Sequence, residues 1–301
     1  MCMQNLRRAL LGLSVATLVV VGTAVGGPFE DGVAAYQRGD YAIALQSYRK
    51  AADQGDARAQ NNLGAMYESG RGVPQSYTEA IRWYRLAADQ GDATAQNNLG
   101  SMYSYGRGVP QNYAEAMKWF RLAADQGDAK AQHNLGVMNE SGQGVPQSYT
   151  EAMRWYRLAA DQGYANAQNN LGSMYIYGRG VPQNYAEAMK WYRLAADQGN
   201  ARAQVNLGIM YGKGQGTPKN YAEAMKWFRL AADRGDAQGQ VMLASVIAMV
   251  WACRRTIPRQ SSGFASRLTK VKPLGNSISV ICIARVTACP KTMSRRGSGI
   301  A

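Results

Sequence analysis

From residue 59 to residue 238 the apolar positions follow a helical rhythm that stops, starts again and then repeats. In one unit Ala95, Leu99, Met102 and Tyr103 share a helix face, and after a break Ala116, Trp119, Phe120, Ala123 and Ala124 do the same. Two helices are predicted. Asp92 stands where it can cap the first, and Asn112, with Glu115 three positions on, forms a capping-box pattern for the second. Gly106 and Gly127 stand just past the two helix ends, where a left-handed residue closes the last turn. Between the helices, Gly106-Arg-Gly-Val-Pro110 is too rich in glycine to be helical, and the residue before proline is pushed toward extended geometry. Gly64, Gly100, Gly136, Gly172 and Gly208 lie inside the first helices, where glycine costs about 1 kcal/mol relative to alanine. A cost repeated at every copy predicts a close helix approach with no room for a Cβ.

The unit recurs in strict register. Pro74, Pro110, Pro146, Pro182 and Pro218 lie 36 residues apart, as do Trp83, Trp119, Trp155, Trp191 and Trp227. Units are placed at 59–94, 95–130, 131–166, 167–202 and 203–238, with a partial unit at 239–246. Residues 28–58 carry the second-helix pattern at Tyr41, Ala44, Tyr48 and Ala51 but lack the long loop, and form an atypical first hairpin. A fixed period of this size predicts a solenoid, because one hairpin cannot bury its apolar face alone. The fold class is therefore all-α, a right-handed superhelix of helical hairpins. A longer beat of 72 residues overlies the first, since alternate units share Glu-Ser-Gly or Ser-Met-Tyr-x-Tyr-Gly at matching places.

These residues resemble the Sel-one-like repeat (SLR) family, a branch of the tetratricopeptide superfamily. Its pattern is Ala-x-x-x-Leu-Gly-x-x-Tyr, a Gly-x-Gly-Val-Pro loop, then Tyr-x-x-Ala-x-x-Trp-Tyr/Phe-x-x-Ala-Ala-x-x-Gly. The departures are Asn139, where the other copies have tyrosine, and Thr217, where they have valine. The resemblance implies a tetratricopeptide-like hairpin stack and an adaptor role in complex assembly, often in the bacterial envelope. It also leaves open a cell-wall or β-lactam hydrolase activity. That activity is proposed for cysteine-rich members stapled by disulfides, and here residues 28–246 hold no cysteine.

The two ends read differently. Arg7 and Arg8 precede an uncharged apolar run from Ala9 to Val21, followed by Gly22-Thr-Ala24, the layout of a cleaved export signal over 1–27. The run is too short for the roughly 20 residues that span a bilayer, so a periplasmic or secreted product without stable membrane insertion is expected. Residues 247–301 hold ten Lys or Arg and no Asp or Glu. Regrouping plausible codons for Met249 to Gln260 one base earlier yields Tyr-Gly-Leu-Gly-Val-Pro-Gln-Asp-Tyr-Thr-Ala-Ala, which is the repeat loop. Leu268 to Pro273 likewise yields Asp-Gln-Gly-Gln-Ala, and Arg285 to Met293 yields Gly-Tyr-Gly-Val-Pro-Gln-Asp-Tyr. Residues 247–301 are thus expected to be a frameshifted, disordered tail, and a non-functional product of such a gene is one alternative to a working protein.

The tail changes the meaning of the charge. The chain carries +14 overall, but ten of its basic residues lie in the tail and two in the leader. The remainder is nearly neutral, which removes the case for nucleic-acid binding. One histidine, His133, has no cysteine partner and no metal-ligand cluster around it in sequence. No catalytic residue, metal or cofactor is expected, and the function predicted is a non-enzymatic scaffold for a protein or peptide. First-helix positions not needed for the core nominate the binding surface. One ridge runs Asn61, Asn97, His133 and Asn169; a second offers Tyr105 and Tyr177, with Arg58, Lys130 and Arg202 beside them.

The frameshift is tested by reading the gene: Gly-Val-Pro codons are expected in the alternative frame after Ala248, and their absence would sink the idea.

Overall fold

The computed structural model describes residues 26–256, with side chains through residue 248, so the leader up to residue 25 and the segment from 257 onward lie outside it. Among the described residues there are thirteen helices and no strand. They pair as α1 (Pro28–Arg38) with α2 (Tyr41–Asp53), α3 (Ala57–Ser69) with α4 (Tyr77–Asp89), and α5 (Ala93–Tyr105) with α6 (Tyr113–Asp125). Next come α7 (Ala129–Ser141) with α8 (Tyr149–Asp161), α9 (Ala165–Tyr177) with α10 (Tyr185–Asp197), and α11 (Ala201–Lys213) with α12 (Tyr221–Asp233), and α13 (Ala237–Thr256) opens a seventh unit. The two helices of each hairpin pack together, and the second helix of each packs on the first helix of the next, which is the all-α solenoid that the period predicts. The hairpins begin at Ala57, Ala93 and their equivalents, two residues ahead of the expected boundaries at 59 and 95, because Asp56 and Asp92 already cap the helices there.

Inside a hairpin the contact that sets the helix spacing is glycine against an aromatic ring. A Cβ at Gly64 would stand 2.6 Å from the Tyr84 ring, at Gly100 2.7 Å from Phe120, and at Gly136 2.5 Å from Tyr156. The repeated mid-helix glycine is thus explained: the ring of the second helix lies flat on the backbone of the first. The loop serves the next contact outward. Gly106 caps α5 at φ 64°, while Gly108 has φ 71° and would place a Cβ 2.7 Å from the backbone carbon of Tyr77 in the preceding hairpin. Glycine is needed twice, for the helix stop and for the close approach between hairpins.

The capping-box expectation is corrected in one half. Asn112 Oδ1 accepts from Glu115 N–H at 3.0 Å, but the Asn112 N–H donates to the Tyr103 carbonyl at 2.9 Å, so Glu115 has no donor to return to. Closing the loop uses the group the box needs. The same replacement recurs at Ser76, Ser148, Asn184 and Asn220.

Between hairpins the tryptophans close the cores. Trp83 in α4 packs with Ala44, Tyr48 and Ala52 of α2 and Leu63 and Met66 of α3; Trp155 in α8 does the same for Phe120 and Ala123 of α6 and Leu135 and Met138 of α7. An arginine of the previous unit lies over the ring, with the Arg121 guanidinium 5.0 Å from the Trp155 centroid and Arg157 4.8 Å from Trp191.

The expected break at residue 246 is also corrected. α13 runs to Thr256, twenty residues where the other first helices of complete long-loop units have thirteen. The reason is one position. Gly70, Gly106, Gly142, Gly178 and Gly214 stop their helices in left-handed geometry, and the matching position holds Val250. A β-branched residue is strongly disfavoured there, so the helix continues through Met249 to Thr256.

Asn139 is the departure whose consequence is visible. In four units an arginine donates to the tyrosine hydroxyl of the next first helix: Arg49 to Tyr67 at 2.7 Å, Arg85 to Tyr103, Arg157 to Tyr175 at 2.7 Å and Arg193 to Tyr211 at 2.6 Å. Asn139 is buried and instead returns its amide to the Leu135 carbonyl at 2.8 Å, leaving the bond from Arg121 unmade. Asn139→Tyr is expected to raise stability by about 0.5–1.5 kcal/mol, the net value of a hydrogen bond. Denaturant unfolding of the two proteins measures it, and an unchanged or lowered midpoint would refute the assignment.

Candidate interaction surface

The asparagine ridge nominated from sequence is not free surface. Asn97 and Asn169 are 6% and 8% exposed, and Asn61 and His133 are half-buried. Each takes part in a rung between adjacent hairpins: Asn98 Nδ2 donates to Asn61 Oδ1 at 3.0 Å, Asn134 to Asn97 at 2.9 Å, and Asn206 to Asn169 at 3.1 Å. Asn170 Nδ2 meets His133 Nε2 at 3.2 Å. The amides that suit a ligand backbone are already paired with the neighbouring repeat.

A second ladder runs beneath it. Gln96 and its equivalents are buried, donate to the Ala88-type carbonyl of the preceding helix at 3.1–3.2 Å, and accept from Gln126-type amides at 2.7–2.8 Å. The ladder ends at Gln204, whose Oε1 is buried with no partner, because the next position in line is Arg234 rather than glutamine.

His133 sits where two departures from the repeat meet. Its ring is 5.6 Å from that of Tyr156 and 5.3 Å, edge on, from Tyr164. Tyr164 occupies a cap position held by aspartate or asparagine in the other long-loop units, and makes no side-chain cap bond. Burial pushes the imidazole below its ordinary pKa, outweighing the opposing pull of Asn134 and Glu140. Nothing in the repeat pattern alone joins residues 133 and 164; two substitutions in one region were the available signal.

What does remain at the surface is a matched pair of clusters. Tyr105 and Tyr177 are 69% and 66% exposed, each the last residue of its helix. The Arg107 guanidinium lies 5.3 Å from the Tyr105 centroid and 5.9 Å from that of Tyr77, and Arg179 lies 5.1 Å from Tyr177 and 5.5 Å from Tyr149. Each arginine is tied to a carboxylate of the preceding hairpin, Arg107 Nη1 to Glu68 Oε1 at 3.3 Å and Arg179 Nη1 to Glu140 Oε1 at 3.2 Å. The other carboxylate oxygen accepts from a buried phenol at 2.7 Å, Tyr84 on Glu68 and Tyr156 on Glu140. Burial first, and then the facing carboxylate, raises the pKa of both phenols, which keeps them protonated as donors.

Arg58, Lys130 and Arg202 do not stand beside these tyrosines. They are second residues of α3, α7 and α11, whereas Tyr105 and Tyr177 end α5 and α9. The helices of a stack start along one edge, so the two groups are separated by about 16 Å of helix. Arg58 is also engaged, bonded to Asp56 at 2.8 Å and lying 4.0 Å over Phe29, while Lys130 and Arg202 are exposed.

Asn97→Ala or Asn169→Ala is expected to cost about 1–3 kcal/mol, because each leaves a partner amide on the next hairpin unpaired. Chemical denaturation checks it; unchanged unfolding would return these residues to the free surface.

Comparison with known proteins supports the reading of the repeat. The Sel1 repeat model matches six consecutive segments, 29–56, 57–92, 93–128, 129–164, 165–200 and 201–236, so the atypical first hairpin is included. Curated proteins give no match. Among solved structures, a Sel1 repeat protein from Oxalobacter formigenes is 34% identical with a TM-score of 0.68, over 73% of this chain and 88% of that one. A protective antigen present in uropathogenic Escherichia coli strains and displaying an SLR fold is 36% identical with a TM-score of 0.63, over 73% of this chain and 48% of that one. This chain thus spans about half of that antigen's length. With six matched repeats and a hairpin stack whose glycine, tryptophan and loop contacts follow from the repeat pattern, the chain belongs to the Sel1 repeat family.

Proposed function

We propose that the protein is an exported, non-enzymatic scaffold that binds an extended protein segment across its two tyrosine and arginine clusters. The observation that carries this is their duplication: Tyr105 with Arg107 and Glu68, and Tyr177 with Arg179 and Glu140, are the same construction one 72-residue block apart. An exposed tyrosine offers apolar area at low conformational cost, and tyrosine and arginine are enriched among residues that dominate binding energy. The arginine has one N–H group committed to glutamate, which fixes its plane and leaves its remaining donors for a carboxylate or backbone carbonyl of the partner.

Two like sites on one rigid stack favour a partner that presents related groups twice along an extended chain, since the second contact forms at high effective concentration. Export is supported by Arg7, Arg8 and the apolar run that follows them. A non-enzymatic role is supported by the setting of the one histidine, which is held between two tyrosines and an asparagine of the stack.

A pull-down from the periplasmic fraction with the repeat body as bait, followed by binding measurements on the partner retained, tests the reading. Tyr105→Ala and Tyr177→Ala are each expected to weaken binding about tenfold and the pair by at least about a hundredfold, with thermal unfolding nearly unchanged. A partner held equally well by the double variant would move the site elsewhere.

A further inference from the structure

Among the described residues the solenoid does not close at its carboxy-terminal end. Leu63, Leu99, Leu135, Leu171 and Leu207 are 0% exposed, each under a tryptophan of the helix that follows. Leu243 stands at the same place in α13 and is only partly buried, as is Val246 at the position of the buried Met210. Val205 is 1% exposed and packs in a cluster with Met242 of α13, an apolar replacement for the asparagine rung, so α13 is seated as the other first helices are.

The missing parts are specific: a glycine stop at position 250, a second loop glycine at 252 and a tryptophan at 263. The genetic code fixes the first two. Methionine has only the codon ATG, and valine codons begin GT, so a frame one base earlier reads GGT, glycine, across Met249 and Val250. Tryptophan has only TGG, and alanine codons begin GC, so the same frame reads GGC, glycine, across Trp251 and Ala252. No choice of synonymous codon alters either. Across Ser262 and Gly263 that frame reads TGG, tryptophan, when the serine codon ends in T. From that tryptophan onward the frame is compatible with Trp-Phe-Arg-Leu-Ala-Ala-Asp-Gln-Gly, the stretch that begins at Trp119 in α6.

We infer that the open face of α12 and α13 is the seat of the second helix of a seventh Sel1 hairpin, which α13 begins and whose loop and second helix are encoded one base out of frame after Ala248, its tryptophan supplying the side chain the last core lacks. The face matches such a helix because Leu243 lacks the tryptophan that covers its counterpart five times within the chain. The inference is independent of what the stack binds.

The test restores the frame by inserting one base before the last base of the Ala248 codon and compares the product with the unaltered full chain. In the restored protein, hydrogen exchange over residues 237–248 is expected to slow at least ~10-fold, to the level of α11. Leu243→Ala is expected to lower Tm by at least about 3 °C there, as Leu207→Ala does in both proteins, and by less than about 1 °C in the unaltered chain. The Leu207→Ala arm shows that both stacks are folded. Equal exchange in the two proteins, equal Leu243→Ala effects, or a gene without TGG across codons 262 and 263 would each overturn the inference.

Discussion

The tryptophan that each hairpin gives to the one before it is the contact on which the stack depends. A hairpin here brings its own helices together through a glycine and a ring, as Gly136 and Tyr156 do, but that contact leaves one end of the aliphatic layer open. Trp155 of α8 closes the layer built by Phe120 and Ala123 of α6 and Leu135 and Met138 of α7, so the contact joins three helices. Stability therefore resides in the interfaces as much as in the units, which is the one-dimensional behaviour of repeat proteins. The first hairpin obeys the same logic from the other side. Where Trp83 would have its counterpart stands Ser47, a small polar residue, and among the described residues no earlier hairpin precedes it with a core to cover.

Burying a row of glutamines and asparagines beside these cores would be costly if their amides were idle, and all the glutamines but the last, Gln204, are paired on both sides. Gln96 both donates to Ala88 and accepts from Gln126, and Asn97 accepts from Asn134. A satisfied buried amide costs little, and a shift of the neighbouring hairpin by a single residue would leave it unsatisfied. The ladders therefore hold the register between hairpins whose apolar surfaces, being copies, would otherwise fit nearly as well when displaced. They also remove most first-helix polar groups from the surface, which leaves the helix ends and loops as the places where the chain can meet a partner.

How far the sequence disclosed this depends on whether a residue acts within its own unit. Gly100 was legible because a glycine in a helix carries a cost that only close packing explains, and Asp92 and Gly106 were legible because capping is local chemistry. Asn97 was not. In sequence it aligns with Asn61, yet in the stack Asn61 pairs with Asn98 and Asn97 with Asn134, 37 residues on rather than 36, a lateral step that only the packed helices define. The Glu115 half of the capping box failed for a related reason, the Tyr103 carbonyl reaching Asn112 from across the loop. The overrun of α13 could have been read, since Val250 stands where every other long-loop unit has a glycine.

The 72-residue beat has a physical meaning beyond shared ancestry. Glu68 and Glu140 reach forward to Arg107 and Arg179, but the equivalent positions hold Ser104 with Gln143 and Ile176 with Gln215, which carry no charge. The ion pairs thus join hairpins within each two-unit block and are absent between blocks. Such half-exposed pairs contribute roughly 0–1 kcal/mol, too little to account for the block as a stability device. What they do accomplish is to hold a guanidinium between Tyr77 and Tyr105, and again between Tyr149 and Tyr177, at the end of the block where both outer rings stand in solvent. A contact that adds little to the fold and orders an exposed aromatic and cationic cluster twice is better explained by recognition than by packing.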